Sequence, residues 1–200
     1  VKQEPVNYSL SRYTNGGDGY AQGIDVFFRD RKTIRDFDYW ISYSYVDTKR
    51  EYLNYPMAMQ PNFVANHTAS IVTKRFFTSI KSGFNVTYSW ASGRPYYNIL
   101  PENGGNKYYI ADRGTTRPYS NLSFSAEWVP SVGKENPKSF PVFFASVSNI
   151  LGTQQVFGYN YSYNGASKMP INPTAKRFYF IGVFISWGVD RTQDAINNNL

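Results

Sequence analysis

The chain has 200 residues, no cysteine and a formal net charge of +7 at pH 7. Its mean hydropathy of -0.48 and the lack of an apolar run of ~18 residues exclude a helical membrane protein. The missing cysteine excludes disulfides and thiolate metal sites, and the basic charge admits an anionic partner without naming one.

Stretches of about ten residues that alternate apolar and polar side chains recur along the chain, as in strands with two different faces. In residues 81–92, for example, Phe84, Val86 and Tyr88 fall on one face. Asn85 and Thr87 fall on the other face. The predicted strands, in chain order, are residues 6–13, 19–31, 38–50, 66–77, 81–92, 119–129, 141–150 and 176–189.

The connections between these strands are alternately short and long. Those at one end are residues 32–37, 78–80 and 130–140. Those at the other end are residues 51–65, 93–118 and 151–175. Outer-membrane barrels place short turns at one end and long loops at the other, and their tilted strands need roughly 9–11 residues to cross the membrane. We therefore predict an all-β fold, an antiparallel transmembrane β-barrel of about eight strands.

A soluble β-sandwich or a lipocalin-like barrel also alternates apolar and polar residues. The composition weighs against both, because 18 Tyr and 15 Phe stand beside few Leu, whereas soluble cores draw heavily on Leu and Val. The apolar faces also end in Tyr and Trp, as the aromatic girdles of membrane barrels do. The membrane barrel is therefore the favoured interpretation.

The sequence contains no known catalytic motif: it has no phosphate-binding loop, no HExxH and no GxSxG. The single histidine, His67, begins a strand, where a histidine is more often a surface or girdle residue than a catalytic base. No group of aspartates has the spacing of a calcium-binding loop. We therefore predict no catalytic residue, no metal, no cofactor and no enzymatic activity.

Basic pairs adjoin aromatic residues at two strand ends, in residues 74–77 and 176–179. Such pairs can clamp nucleic-acid phosphates while the rings stack on bases. At the end of a membrane strand, however, they meet lipid head groups or anionic lipopolysaccharide. We therefore expect outer-membrane lipid and lipopolysaccharide as partners, and no nucleic acid.

Several short motifs follow one another over most of the chain. They are Gly-x-Ala-x-Gly-Ile-Asp-Val from Gly19, Ser-Tyr-Ser-Tyr-Val-Asp from Ser42, Pro61 followed by Asn66-His67, Ser-Gly-Arg-Pro-Tyr from Ser92, Val-Ser-Asn-Ile-Leu from Val147, and an aromatic closing strand up to Trp187. In order and spacing they resemble the C-terminal part of the barrel of TonB-dependent outer-membrane receptors.

The resemblance implies a protein of the cell outer membrane in which a 22-stranded barrel, filled by an N-terminal plug, imports a scarce nutrient with energy from TonB. The nutrient would be a siderophore, a vitamin, a glycan or a peptide. The plug and the segment that contacts TonB are absent from this chain. Residues 1–189 would then be the last third of the barrel of a longer chain, and residues 190–200 a polar C-terminal tail.

The alternative is a complete, small, eight-stranded outer-membrane barrel that acts as an adhesin, a structural anchor or a lipid-modifying enzyme. Eight strands can close on themselves with side chains filling the interior. Such an interior needs large, charge-paired side chains. The predicted inner face is mostly Gly, Ser, Thr and Asn, which suits the wall of a wide barrel better.

Residues 92–97, with the sequence SGRPYY, open one of the long connections. Gly93 permits and Pro95 restricts backbone φ, so we predict a fixed turn that places three side chains at the outer rim: Arg94, Tyr96 and Tyr97. These could bind a polar or anionic nutrient by charge-assisted hydrogen bonds and ring stacking. They could instead serve only as an aromatic girdle and loop scaffold, which is the favoured interpretation.

Overall fold

The computed structural model describes residues 2–3, 13–14, 16–51, 55–103, 107–135 and 137–197. Within these ranges the chain forms β-strands and one short helix. In chain order they are β1 (Lys2–Gln3), β2 (Tyr13–Thr14), β3 (Gly19–Asp30), β4 (Phe37–Arg50), β5 (His67–Phe77), β6 (Ser82–Ala91), β7 (Pro95–Pro101), β8 (Tyr108–Thr115), β9 (Tyr119–Trp128), β10 (Ser139–Ser148), β11 (Gly158–Tyr161), β12 (Lys168–Ile171), β13 (Phe178–Trp187) and α1 (Thr192–Ile196).

A seven-stranded sheet contains the seven predicted strands from residue 19 onward. Its strand order is β13-β10-β9-β6-β5-β4-β3, and every neighbouring pair is antiparallel. Of the additional strand predicted at residues 6–13, residues 6–12 lie outside the described residues, and Tyr13 begins β2, which pairs with β1. The all-β, antiparallel prediction is therefore confirmed.

One face of this sheet is apolar from edge to edge. The register places Ile24 opposite Tyr45 and Ile71 opposite Tyr88, so apolar side chains continue from strand to strand. Ile181 on β13 is 85% exposed, and an apolar surface so open needs an apolar surrounding. We call this surface the apolar face; among its members are Ile24, Val26, Phe28, Ile41, Tyr43, Tyr45, Ile71, Val86, Tyr88, Phe124, Phe143, Tyr179, Ile181, Val183, Ile185 and Trp187.

The opposite surface, which we call the polar face, carries small hydroxyl side chains and a charged cluster. Ser42 and Ser70 pair across β4 and β5, with their Oγ atoms 2.7 Å apart. Near the end of β3, Arg29 donates two hydrogen bonds to Asp38, of 3.0 Å and 2.6 Å. Arg31 adds a second cation 3.2 Å from the same carboxylate, which is only 2% exposed. The two arginines therefore compensate the charge of Asp38 within the sheet.

Two glycines on the strands make room for a neighbour. A Cβ at Gly23 would run into the carbonyl oxygen of Tyr45 on β4, so no larger residue fits without a shift. A Cβ at Gly83 would overlap the carboxylate of Glu127, whose side chain lies across β6. Close approach, rather than an unusual φ, therefore explains both positions.

The short connections lie at one end of the sheet, the short-loop end, and they link β3 to β4, β5 to β6 and β9 to β10. The predicted polar tail turns back at this end and forms α1, and Ala195 of α1 is fully buried. It completes an apolar core with Phe76, Val129, Val132 and Phe140.

The long connections, at the long-loop end, contain two further hairpins that the sequence analysis did not separate from loops. The first hairpin is β7–β8 and the second hairpin is β11–β12. Proline opens and closes β7 and interrupts β12, and proline in a short stretch argues against a strand. These strands belong to two-stranded sheets, where proline can occupy an edge without breaking a ladder on both sides.

Candidate functional site at the long-loop end

The turn that leads into the first hairpin is held by paired backbone and hydroxyl groups. Ser92 N donates to the carbonyl of His67 over 2.8 Å, and His67 N donates to Ser92 Oγ over 3.1 Å. Arg94 N donates to Thr116 Oγ1 over 2.9 Å, and Thr116 N donates back to the Arg94 carbonyl over 2.8 Å. The two ends of the loop are thus held together next to the seven-stranded sheet.

Gly93 fits this clamp for a reason that differs from the prediction. Its φ is not in the left-handed region. A Cβ there would instead collide with the carbonyl oxygen of Thr116, a residue that is only 5% exposed. The predicted explanation, a backbone φ that only glycine permits, is therefore wrong for Gly93. Glycine is needed there because the backbone of the facing segment leaves no space for a side chain.

Tyr96 lies at the junction of the two hairpins. Lys168 on β12 donates to Tyr96 Oη over 2.9 Å, and its Nζ is 4.5 Å from the centre of the Tyr96 ring. The ring of Tyr159 on β11 packs edge-on against Tyr96 at 4.6 Å between ring centres. Gly114 on β8 leaves space for the hydroxyl, because a Cβ there would be 2.5 Å from Tyr96 Oη.

An ion pair completes this junction. Lys168 Nζ is 3.1 Å from Asp112 Oδ2 on β8, and Tyr161 Oη donates to the same oxygen over 2.7 Å. The hydrogen bonds from Tyr161 and Lys168 hold the pKa of Asp112 below its usual value, and those to Tyr96 and Asp112 raise the pKa of Lys168. Both groups therefore keep their charges around neutral pH. We call Tyr96, Asp112, Tyr159, Tyr161 and Lys168 the hairpin brace.

Tyr97, the next residue, points to the other side of β7. Its ring meets that of Tyr55, in the connection between β4 and β5, edge-on at 6.0 Å between ring centres. Burial raises the pKa of the Tyr97 hydroxyl, with a further contribution from Tyr55. Arg94 lies over the ring of Phe157, with its guanidinium carbon 5.9 Å from the ring centre. The three predicted site residues thus contact different neighbours rather than converging on one surface.

Asn149, within the Val-Ser-Asn-Ile-Leu motif, organises the exit of β10. It adopts a φ of 54° and is 3% exposed. Its backbone N–H donates to Asn121, and its side-chain amide donates to the carbonyls of Thr153 and Lys176 over 2.9 Å and 2.7 Å. Asparagine suits this position because it tolerates the left-handed conformation while bonding to the local backbone.

The single histidine lies on the apolar face at the long-loop end. His67 Nδ1 and Tyr43 Oη are 2.8 Å apart, and the ring of Tyr45 lies 5.0 Å from the imidazole ring centre. Within the part of the chain that the structure describes, no group of three or more metal-ligating residues comes together. His67 thus belongs to an aromatic band of the outer wall.

No helix among the described residues has the length and apolar character to cross a membrane. A seven-stranded antiparallel sheet with one apolar face and one polar face has the architecture of the wall of a transmembrane β-barrel. The apolar face is therefore the lipid-facing side, and the polar face lines the barrel interior.

Comparison with known proteins agrees with this class of fold. No protein-family profile and no curated protein sequence matches the chain. Among solved structures, the chain is similar to the outer membrane transporter YddB from Escherichia coli, with a TM-score of 0.62 and 13% sequence identity. The similarity covers 91% of this chain and 28% of the YddB chain. The chain therefore has the fold of a little more than a quarter of an outer-membrane transporter.

Proposed function

We propose that this chain is part of the wall of an outer-membrane transporter of the TonB-dependent receptor class, which imports a scarce nutrient. The observation that carries the proposal is the seven-stranded sheet with one continuous apolar face, which follows the fold of an outer-membrane transporter over 91% of the chain. The motif resemblance supports the same class.

The seven strands of the sheet do not close a barrel by themselves. β3 and β13 are the edge strands, and among the described residues neither pairs with a second strand. Because seven strands alternate in direction, β3 and β13 run parallel, so they cannot complete an antiparallel barrel with each other. Unpaired backbone groups in lipid cost several kcal/mol each, so further strands must cover both edges. One further strand would close an eight-stranded barrel, so the larger barrel is favoured by the similarity to 28% of the longer YddB chain and not by the edges.

The proposed partners follow from the surfaces. Lipid contacts the apolar face, and lipopolysaccharide meets the predicted basic pair Lys176-Arg177, which is exposed at the long-loop end. The other predicted pair, Lys74-Arg75, lies near the short-loop end, because Arg75 pairs with Phe37. TonB would act through an N-terminal plug that is not part of this chain. The nutrient would reach the barrel through the long-loop end. This chain takes no nucleic acid and carries no enzymatic step in the proposal.

The role of the three rim residues stays a prediction. Arg94 on Phe157, Tyr96 in the hairpin brace and Tyr97 on Tyr55 are contacts that support the scaffold interpretation. Nutrient binding by these residues would use the remaining exposed edge of each group. In either case they determine the shape of the mouth that a nutrient meets.

The proposal predicts uptake that depends on both this protein and TonB. The gene for the full-length protein is deleted in its host. Growth is then measured with a ferric siderophore, cobalamin, an oligosaccharide or a peptide as the growth-limiting nutrient. We expect the deletion strain and a strain without TonB to lose growth on the same source, and the restored gene to recover it. Unchanged growth of the deletion strain on all four sources would contradict the proposal.

A further inference from the structure

The most completely buried apolar core among the described residues lies at the short-loop end, on the polar face. Val129 and Ala195 are fully buried, and Phe140 is 1% exposed. The core joins residues of the sheet to the segment that follows β13, residues 188–197, which we call the C-terminal strap. A segment whose composition indicates a solvated polar tail is therefore an integral part of the fold.

The strap crosses the polar face from one edge strand toward the middle of the sheet. It leaves β13 at Gly188, whose φ of 69° turns the chain out of the strand. Asp190 Oδ1 then accepts hydrogen bonds from the backbone N and the hydroxyl of Thr192, over 2.9 Å and 2.6 Å. α1 contacts β5, and three strands separate β13 from β5, so the strap spans about 19 Å of sheet.

The strap has no stability of its own. A helix of five residues is far too short to form alone in water, so α1 exists because Ala195 and Ile196 pack on the sheet. The surface that they contact is built from Phe76 of β5, Phe140 of β10 and the connection after β9. That surface forms only after β5, β6, β9 and β10 have paired.

From this dependence we propose that the C-terminal strap locks the assembled wall at its short-loop end. It ties the edge strand β13 to β5 and so fixes the spacing and curvature of the strands between them. It also covers apolar side chains that would otherwise face the barrel interior. This rim of the wall therefore stays rigid.

The docking of the strap is tested by cysteine labelling in the full-length protein in outer-membrane vesicles, with other cysteines removed. This chain contains no cysteine, so Ala195→Cys and Gln193→Cys each introduce one thiol on the same helix. We expect a maleimide to label the exposed position 193 readily and position 195 at least about tenfold more slowly. Adding Phe140→Ala should raise the labelling of position 195. Equal labelling of the two single variants would overturn the proposal.

The locking function is tested by the temperature at which the barrel loses its compact, detergent-resistant form. Ala195→Asp places a charge in the core, whereas Asp194→Ala changes an exposed residue one position away. We expect Ala195→Asp to unfold at a lower temperature, or to yield no compact barrel at all, and Asp194→Ala to match the parent. If a compact Ala195→Asp barrel melts at the parent temperature, the strap does not lock the wall.

Discussion

At the scale of single residues, neighbours in the chain have separate tasks because a strand alternates its side chains between two faces. Tyr96 and Tyr97 illustrate this at the rim, where the first contacts the second hairpin and the second contacts the connection after β4. One strand, β7, therefore links three long connections. The same alternation separates lipid from interior along β6.

The first residue-scale prediction concerns Tyr97. Tyr97→Phe keeps the ring that meets Tyr55 and removes only the hydroxyl, whereas Tyr97→Ala removes both. If Tyr97 is a scaffold residue, we expect the phenylalanine variant of the full receptor to take up nutrient normally and the alanine variant to have a less ordered rim. Uptake is measured per amount of folded barrel.

Arg94 offers the matched comparison. Arg94→Ala removes the guanidinium from Phe157 and also removes a charge that an anionic nutrient could use. Lower uptake in both Tyr97→Phe and Arg94→Ala, at an unchanged amount of folded barrel, would contradict the scaffold role and support direct nutrient binding.

The second residue-scale prediction concerns the lipid face of β6. Val86 is 40% exposed on the apolar face near the middle of the strand, whereas Thr87 lies on the polar face. Arg at position 86 should cost roughly 2–4 kcal/mol at the bilayer midplane, and Arg at position 87 should be tolerated in a wide aqueous interior. Reversible unfolding of the barrel in lipid vesicles measures both, and equal damage would indicate a dry core on both sides.

At the scale of elements, different contacts stabilise the two ends of the sheet. At the long-loop end, hairpins are joined to one another by the brace around Lys168 and Asp112. At the short-loop end, a segment of the chain itself packs against the sheet. Since the hairpins are joined by a few partly exposed polar and aromatic contacts, we expect them to open at a lower free energy than the buried core.

The element-scale prediction is the orientation of the wall. Tyr163, in the turn between β11 and β12, is fully exposed, so chymotrypsin added to intact cells should cut there. The short turn at residues 78–80 should be spared, because the proposed orientation places it in the periplasm. Tyr163→Ser should abolish the cut without changing the barrel, as detected by fragment size. Cleavage of the short turns in intact cells would reverse the orientation.

At the scale of the whole molecule, the sheet is an arc whose edge strands, β3 and β13, pair with no further strand among the described residues. β3 offers 12 residues and β13 offers 10 residues of backbone to further strands. The chain aligns with 28% of a solved transporter chain, as expected of a sheet that needs further strands to close a barrel. Phe184 of β13 is exposed on the polar face and would face the interior of the complete barrel.

The sequence by itself determined the seven strands of the sheet, the two faces of most of them and the alternation of short and long connections. These follow from a strand period of two and from the turn residues, which are local properties. The motifs contained Asn149 and Gly93, but the sequence did not show why asparagine and glycine are needed at these positions. The explanation depends on contacts with segments far away in the chain.

Only the tertiary structure decided the two outer hairpins, the separate neighbours of Arg94, Tyr96 and Tyr97, and the folding of the C-terminal strap. The strap has a polar composition, and its five helical residues are too few to form a stable helix on their own. The strap folds because Ala195 is buried against residues of β5 and β10. Those residues lie more than 45 positions earlier in the sequence. Local pattern cannot report a contact whose partner is set by strand pairing.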